Sequence, residues 1–203
     1  MTRTRSRAAT SSGRPSSAAL AAAAGKRIRD VIAPGLKVLF VGINPGLYSA
    51  ATGHHFARPG NRFWPALHQA GFTARQLHPS EQEELLESGY GITNLVNRAT
   101  ATADQLDPQE FVAGRKRLAA KLRRYRPATV AFLGVGAYCQ AFSLKNAPVG
   151  PQPHPFEEAA VWVLPNPSGL NANYQLPALV KLFRSLWQQS MDPPSIPAMP
   201  FNH

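Results

Sequence analysis

The 203-residue sequence predicts a single α/β domain, folded as a three-layer α/β/α sandwich around a central, mainly parallel, four-stranded sheet. Three observations support this prediction. Four short runs of continuous apolar residues are typical of strands that are buried on both faces. Segments with helical patterning separate these runs, as connections between parallel strands require. Two polar turns that contain glycine follow strand ends, where the ligand crevices of such sheets lie.

Each predicted element follows from its local pattern. The apolar runs predict strands at Val38–Gly42, Gly91–Val96, Thr129–Gly134 and Val161–Leu164. Helical patterns lie between or after them, at Arg62–Ala70, Ser80–Ser88, Pro108–Tyr125 and Tyr174–Trp187. In the third helix, Asp107 suits the N-cap and Pro108 the first turn. We expect the bare Gly134-Val135-Gly136 to serve close packing of strand against helix.

The two ends of the chain differ in composition from its body. Residues 1–26 are basic and of low complexity, which predicts a disordered arm able to touch phosphates. Residues 27–188 form the predicted domain, and residues 189–203 a Pro-rich tail.

Charge and cysteine content limit the classes of function. Twenty-two Lys and Arg against eleven Asp and Glu give a formal net charge of +11, which indicates a polyanionic partner or a solubilising surface. The single cysteine, Cys139, excludes an intramolecular disulfide and a multi-cysteine metal site, and it suits a reducing cytoplasm. No apolar run approaches the ~20 residues that span a bilayer, so no membrane association is expected.

Several common chemistries lack their motifs. The sequence has no Lys-containing phosphate loop, no pair of zinc-binding histidines one helical turn apart and no Gly-x-Ser-x-Gly elbow. It has instead Gly42-Ile43-Asn44-Pro45-Gly46-Leu47 after the first strand and Asn166-Pro167-Ser168-Gly169-Leu170-Asn171 after the last. Both segments offer amides and backbone N–H groups, which indicates a site that grips a polar ligand without a strong base.

Four segments together resemble a known family. They are Gly42–Gly46, Gly53-His54-His55-Phe56, Asn61-Arg62-Phe63-Trp64 and Asn166–Leu170. In this order and spacing they are similar to the mismatch-specific uracil-DNA glycosylase and thymine-DNA glycosylase branch of the uracil-DNA glycosylase superfamily. The resemblance runs from about Ile32 to Trp187 and implies the same α/β/α fold, with a four-stranded parallel sheet.

The resemblance implies a monofunctional glycosylase that flips uracil, or as alternative substrates thymine or a damaged pyrimidine, out of a G·U or G·T mismatch and hydrolyses its N-glycosidic bond in base excision repair. By resemblance, Asn44 holds the attacking water, and Asn94 and Thr100 contact the base and help to place that water. Asn94 replaces a lysine of the bacterial mismatch enzymes, and a turn amide that caps the strand end explains it equally well. The family's most efficient uracil enzymes carry an aspartate at the position of Asn44, and Asp104 is a hypothetical compensating carboxylate.

The remaining site residues are assigned in the same way. The resemblance places Ile43, Gly46, Ser49, His55 and Phe56 in the base pocket, with Phe56 stacking on the base. Leu170 resembles the apolar wedge that fills the space of the extruded nucleotide, while Gly169 and Asn171 face the widowed guanine. Asn166 belongs to the same turn, and phosphates are expected at Ser168, at Arg58 and Arg62, and along the basic face of the third helix, which includes Lys121.

We expect neither metal nor cofactor, a monomer, double-stranded DNA with G·U or related mismatches as partner, and a location in the bacterial cytoplasm on the nucleoid. Two alternatives stay open. A non-catalytic DNA-binding protein of the same fold needs the charge and the wedge but not Asn44. A small-molecule α/β enzyme needs the crevice but not the basic excess.

Overall fold

A five-stranded sheet forms the middle layer of the protein in a computed structural model that describes residues 14–191. Its strands are β1 (Val38–Gly42), β2 (Tyr90–Asn94), β3 (Thr129–Leu133), β4 (Gly150–Pro151) and β5 (Ala160–Leu164). They lie in the order β2-β1-β3-β5-β4. β2, β1, β3 and β5 are parallel, while β4 pairs antiparallel with β5 at the edge. The four predicted strands are confirmed, and β4 is additional because two residues are too few to form a pattern.

Helices cover both faces of the sheet. In the described residues the α-helices are α1 (Ser17–Ala21), α2 (Leu47–Thr52), α3 (Phe63–Ala70), α4 (Pro108–Tyr125), α5 (Val135–Phe142) and α6 (Leu176–Met191). Within the same described range, two 3-10 helices span Pro79–Leu86 and Ala103–Gln105. The predicted helix at Ser80–Ser88 is therefore a 3-10 helix. Sequence patterning missed α2, which starts at the Gly46 N-cap within the first polar motif and is only six residues long.

Alternating side chains of β1, β3 and β5 enter two separate cores. On one face Phe40 packs with Phe63 of α3 and Phe183 of α6. On the other face Leu39 and Val41 pack among residues of α4 and α5. Burial of both faces explains why the strands are continuously apolar, and it confirms the three-layer α/β/α architecture.

The N-terminal segment differs in part from the arm expected over residues 1–26. Residues 1–13 lie outside the described residues, but α1 packs against α2, and Ala23 is fully buried beside Ala50 and Ala99. Gly25 N–H donates to the Ala99 carbonyl, and Ala99 N–H donates to Lys26. Small alanines allow this close packing, and composition alone cannot distinguish it from disorder.

At the other end, α6 continues through Met191, and residues 192–203 of the predicted tail lie outside the described residues. Across residues 14–191, no helix is both long and apolar enough to cross a membrane. Cys139 lies half-buried on α5, where burial raises the pKa of its thiol.

The register of the sheet brings the functional loops to one edge. Gly42 of β1 lies beside Asn94 of β2, and Leu133 of β3 lies beside Leu164 of β5. Because these strands are parallel, the segments that follow β1, β2 and β5 leave the sheet at the same end. The fold therefore places both polar motifs around one crevice.

Candidate active site

A cavity of about 370 Å³ opens at this edge of the sheet. All but three of the predicted site residues line it. Its walls include Ile43, Asn44, Gly46, Ser49, His55, Phe56, Arg58, Asn94, Thr100, Asn166, Ser168, Leu170 and Asn171. Asp104, Arg62 and Gly169 are not among the lining residues. Asn44 and Leu170, which come from loops more than 120 residues apart, thus share one cavity.

The Asn44 carboxamide is held by its nitrogen. Nδ2 donates to the Arg98 carbonyl at 2.9 Å and to Thr100 Oγ1 at 2.7 Å. Thr100 Oγ1 in turn donates to the Thr102 carbonyl at 2.8 Å, so its hydroxyl must accept from Asn44. Both amide protons are therefore engaged, and Oδ1 accepts no hydrogen bond from residues 14–191. This arrangement leaves an oriented acceptor, free to bind a ligand or a water molecule.

A salt bridge supports the loop that holds Asn44. Arg98 Nε and Nη2 donate to the two carboxylate oxygens of Glu110 at 2.9 and 2.7 Å. Glu110 belongs to the capping box of α4, where its Oε2 also accepts from Asp107 N–H. The hydrogen bonds from Arg98 and Asp107 lower the pKa of Glu110 to about 2. The side chain of Arg98 is thus anchored to the start of α4, and this helps to fix the Arg98 carbonyl that accepts from Asn44.

Asn94 forms a second polar wall of the cavity at the end of β2. It is almost fully buried, and its Nδ2 lies 3.4 Å from His55 Nδ1. A Cβ on the neighbouring Gly42 would lie 2.6 Å from Asn94 Oδ1 and 3.2 Å from Phe56 Cζ. Glycine at the first position of the Gly42–Leu47 motif therefore makes room for the side chains of Asn94 and Phe56.

Phe56 and Ser49 have different relations to the cavity. Phe56 adopts a left-handed backbone with φ of 53°, and its ring stacks on Phe63 with centroids 4.2 Å apart. A left-handed backbone is energetically costly for a bulky residue, and this cost favours a functional role for Phe56 in addition to packing. Ser49 is buried, and its Oγ accepts from Ala57 N–H at 3.1 Å. Ser49 therefore holds the loop that carries Phe56.

Arg62 has a different role from the phosphate contact expected of it. Its guanidinium lies beneath the loop at residues 166–174, which we call the rim loop, and donates to the carbonyls of Ser168, Gly169, Asn171 and Tyr174. The donor–acceptor distances are between 2.9 and 3.3 Å. Four carbonyl acceptors engage this charge, so Arg62 fixes the shape of the rim loop.

The rim loop is also stabilised by its own side chains. Asn166 Oδ1 accepts from Ser168 N–H, Ser168 Oγ accepts from Leu170 N–H, and Asn171 Nδ2 donates to the Asn166 carbonyl. The Gly169 backbone approaches Gly60 so closely that a Cβ would lie 2.5 Å from the Gly60 carbonyl oxygen. Leu170 remains 69% exposed at the cavity edge. The loop therefore presents one apolar side chain to solvent beside the cavity.

Two other predicted positions also differ from expectation. Asp104 is exposed and lies in the 3-10 helix, where hydrogen bonds from the Thr102 hydroxyl and its own backbone lower the pKa of its carboxyl. On the basic face of α4, Lys121 contacts Thr93 and pairs with Asp30 on the N-terminal segment. Arg58, by contrast, is exposed at the cavity wall. Of these cations, Arg58 is the better placed to meet a phosphate at the site.

Sequence patterns missed several lining residues. Ile28 reaches the cavity from the N-terminal segment, before β1 and outside every motif. Asn61 also lines it, and its Oδ1 accepts from Phe63 N–H at the start of α3. Asn61 belongs to the third motif, so that motif could have revealed it, whereas no local signal marks Ile28.

The charged and titratable side chains give no sign of a metal centre. Among the described residues, no group of three or more His, Cys, Asp or Glu side chains is arranged to hold a metal ion. The cavity instead presents amide and hydroxyl groups, a buried histidine and an aromatic ring. Such a wall suits an uncharged, planar ligand with several hydrogen-bonding groups.

Comparison with known proteins gives two findings. Residues 29–189 match the family model described as the uracil DNA glycosylase superfamily. The fold is also similar to the solution NMR structure of a candidate uracil DNA glycosylase from Methanosarcina acetivorans, with a TM-score of 0.50 and 16% sequence identity. That match covers 80% of this chain and 98% of the other. At this identity the structural likeness bears on the fold alone.

Proposed function

The chain belongs to the uracil DNA glycosylase superfamily, and from this premise we propose that it excises uracil from G·U mismatches in double-stranded DNA by hydrolysing the N-glycosidic bond. The observation that carries the proposal is the Asn44 carboxamide, whose nitrogen is fully engaged and whose oxygen is free in the cavity. We extend the proposal to base excision repair, with the protein acting as a monomer.

The mechanism begins with extrusion of the nucleotide, because C1′ is shielded inside the duplex. Unstacking costs about a few kcal/mol and is cheaper at a mismatch than at a good pair. Leu170 is exposed at the cavity edge and would fill the space left in the base stack. The uracil ring would enter the cavity against Phe56, which is stacked on Phe63 from the other side.

Asn44 Oδ1 then accepts a hydrogen bond from a water molecule and directs its oxygen toward C1′. An amide oxygen takes up no full proton near neutral pH, so Asn44 acts by positioning rather than as a general base. The C1′–N1 bond breaks with its electron pair going to uracil, and the water oxygen bonds to C1′ and loses a proton to solvent. The products are an abasic sugar and uracil, which is protonated at N1 after release.

Charge that develops on the departing uracil needs hydrogen-bond donors. We assign this role to the backbone N–H groups of Gly46 and Leu47 in the turn that follows Pro45, and Gly46 lines the cavity. At the base edge, Asn94 is the polar side chain placed to read the hydrogen-bonding pattern of the ring. Selectivity for the mismatch would come from rim-loop groups that face the opposing guanine.

The direct test is uracil release from a labelled G·U duplex, followed by alkaline cleavage of abasic sites, with EDTA present. We expect release by the wild type and about a 10²- to 10³-fold lower single-turnover rate for Asn44→Ala, because an oriented polar group is lost at the reacting centre. DNA affinity of Asn44→Ala should stay within about threefold of the wild type, since phosphate contacts dominate affinity.

Asn146→Ala is the matched control, because Asn146 is exposed and lies outside the cavity. It should keep the wild-type rate. DNA binding without any base release by the wild type would contradict the proposal and favour a non-catalytic binding protein. Absence of both binding and release would favour a small-molecule enzyme of the same fold.

A further inference from the structure

His55 occupies a fixed position behind the cavity wall. It is 2% exposed, its N–H donates to Gln82 Oε1 at 2.8 Å, and its carbonyl accepts from Trp64 Nε1 at 3.1 Å. These two backbone hydrogen bonds hold the residue without using its ring nitrogens. The imidazole is therefore placed by the fold and can serve another purpose.

The surroundings of the ring determine its tautomer. His55 Nε2 lies 3.0 Å from the Arg29 carbonyl oxygen, which can only accept a hydrogen bond, so Nε2 carries the proton. Burial is the main influence on the imidazole and lowers the pKa of His55, which keeps the ring neutral near pH 7. In a neutral ring with a proton on Nε2, Nδ1 has a lone pair and accepts.

This tautomer also determines the orientation of Asn94. Of the two ends of the Asn94 amide, only Nδ2 can donate to the Nδ1 lone pair, at 3.4 Å. Asn94 Oδ1 then points away from the imidazole, and it accepts no hydrogen bond from residues 14–191. Since Asn94 lines the cavity, this oxygen is its available base-reading group.

We propose that His55 is a specificity-determining positioning residue, which makes the cavity accept uracil and reject cytosine by holding the Asn94 amide in one orientation. Uracil presents N3–H, a donor, whereas cytosine presents an unprotonated N3, an acceptor. The fixed Oδ1 accepts from uracil N3–H and opposes the cytosine lone pair. An amide released from His55 could rotate by 180° and offer Nδ2 to cytosine. This inference rests on the proposed function, with uracil as the substrate.

Two substitutions separate the roles of the two ring nitrogens. His55→Gln can keep a donor toward the Arg29 carbonyl but places no acceptor at the Nδ1 position. His55→Asn places an amide oxygen near the Nδ1 position and loses the bond to Arg29. Single-turnover rates are measured on uracil and cytosine in otherwise identical mispairs with thymine, so that both bases leave a weak pair.

For His55→Gln we expect the uracil-to-cytosine rate ratio to fall at least tenfold, about the effect of one lost hydrogen bond. His55→Asn should keep the ratio within about threefold of the wild type. An unchanged ratio in folded His55→Gln overturns the inference while leaving the proposed function intact. A wild type that releases no uracil from a G·U duplex would instead refute the proposed function.

A measurement on the wild-type chain keeps the inference testable if His55→Gln does not fold. Long-range ¹H–¹⁵N spectra distinguish the two neutral tautomers, and the His55 signals are identified by their loss in His55→Asn. At pH 7 we expect a proton on Nε2 and a bare Nδ1. A proton on Nδ1 would turn Asn94 Oδ1 toward the ring and overturn the inference.

Discussion

The loop after β1 and the rim loop leave the same edge of the sheet but are fixed in opposite ways. In the loop after β1, the side chain of Asn44 is fixed, through its nitrogen, to Arg98 and Thr100. In the rim loop, the backbone is fixed, through four carbonyls that accept from Arg62. The Leu170 side chain between those carbonyls is left 69% exposed.

The difference follows from what each loop is proposed to do. A group that directs a water molecule must have a fixed side-chain orientation, because small misplacements reduce the rate sharply. A wedge needs a fixed backbone and a free apolar side chain that is buried only in the complex. Burial of the Leu170 side chain in a complex would contribute up to about 1.5–3 kcal/mol, which the free protein does not gain. Single-stranded DNA needs no wedge, and the two loops should therefore respond differently to that substrate.

Among the residues that support the two loops from outside the proposed chemical step, the largest effect is expected at Arg62, which holds the rim loop. In Arg62→Lys the charge remains, but the planar fork that reaches four carbonyls is lost. We expect uracil release from G·U duplex to fall about 30- to 100-fold, from the loss of about 2–3 kcal/mol of charge-assisted hydrogen bonding. Release from single-stranded DNA should fall less than threefold.

The comparison of duplex with single strand, in single-turnover assays, checks this prediction. Leu170→Ala should give the same selective loss on duplex, since it removes the wedge itself. Arg184→Lys is the matched control, because Arg184 is exposed, donates to the Gln69 carbonyl and lies outside the cavity. An equal loss of Arg62→Lys activity on both substrates would show that the two loops are not separate in function.

Arg62 shows a limit of sequence reasoning, because it donates to backbone carbonyls of the rim loop instead of taking the phosphate-binding role that the sequence suggested. Its carbonyl partners lie 106 to 112 residues away, and the identity of an arginine does not reveal whether it meets a phosphate or a backbone carbonyl. The same holds for Ile28 and for the Arg29 carbonyl, which reach the cavity wall and His55 through tertiary packing.

Prediction from sequence succeeded where residues close together in the chain determine the structure. The predicted bounds of α4 match the structure, because Asp107, Pro108 and Glu110 form a complete start signal. Apolar runs located the four parallel strands, and parallel strands that end together bring Asn44, Asn94 and Leu170 to one cavity. Two short helices were not predicted. The six-residue α2 has too few positions to show a helical period, and α1 lies in an alanine-rich segment whose composition is similar to that of a disordered segment.

A smaller effect is expected in the loop after β1. Thr100→Val removes the hydroxyl that accepts from Asn44 Nδ2 while keeping the shape of the side chain. We expect about a tenfold lower rate of uracil release, the effect of about 1.4 kcal/mol, and an equal loss on duplex and single-stranded DNA. Thr100→Ser retains the hydroxyl and should recover most of the rate. A loss confined to duplex would contradict the assignment of Asn44 to the chemical step.

The smallest effect concerns the salt bridge that supports Asn44 from outside. Glu110→Gln weakens the pairing with Arg98, and both side chains are partly exposed, so we expect a two- to fivefold lower rate on both substrates.

The pKa of Glu110 is lowered from 4.5 to about 2, so its ionised form stabilises the folded chain fully above pH 4.5 and progressively less as the pH falls toward 2. Denaturant titrations should therefore show a steeper loss of unfolding free energy over this range in the wild type than in Glu110→Gln, by about 1 kcal/mol or less. Identical pH dependence of the two proteins would mean that the salt bridge does not hold the loop in solution, and the orientation of Asn44 would then rest on Thr100 and the Arg98 carbonyl alone.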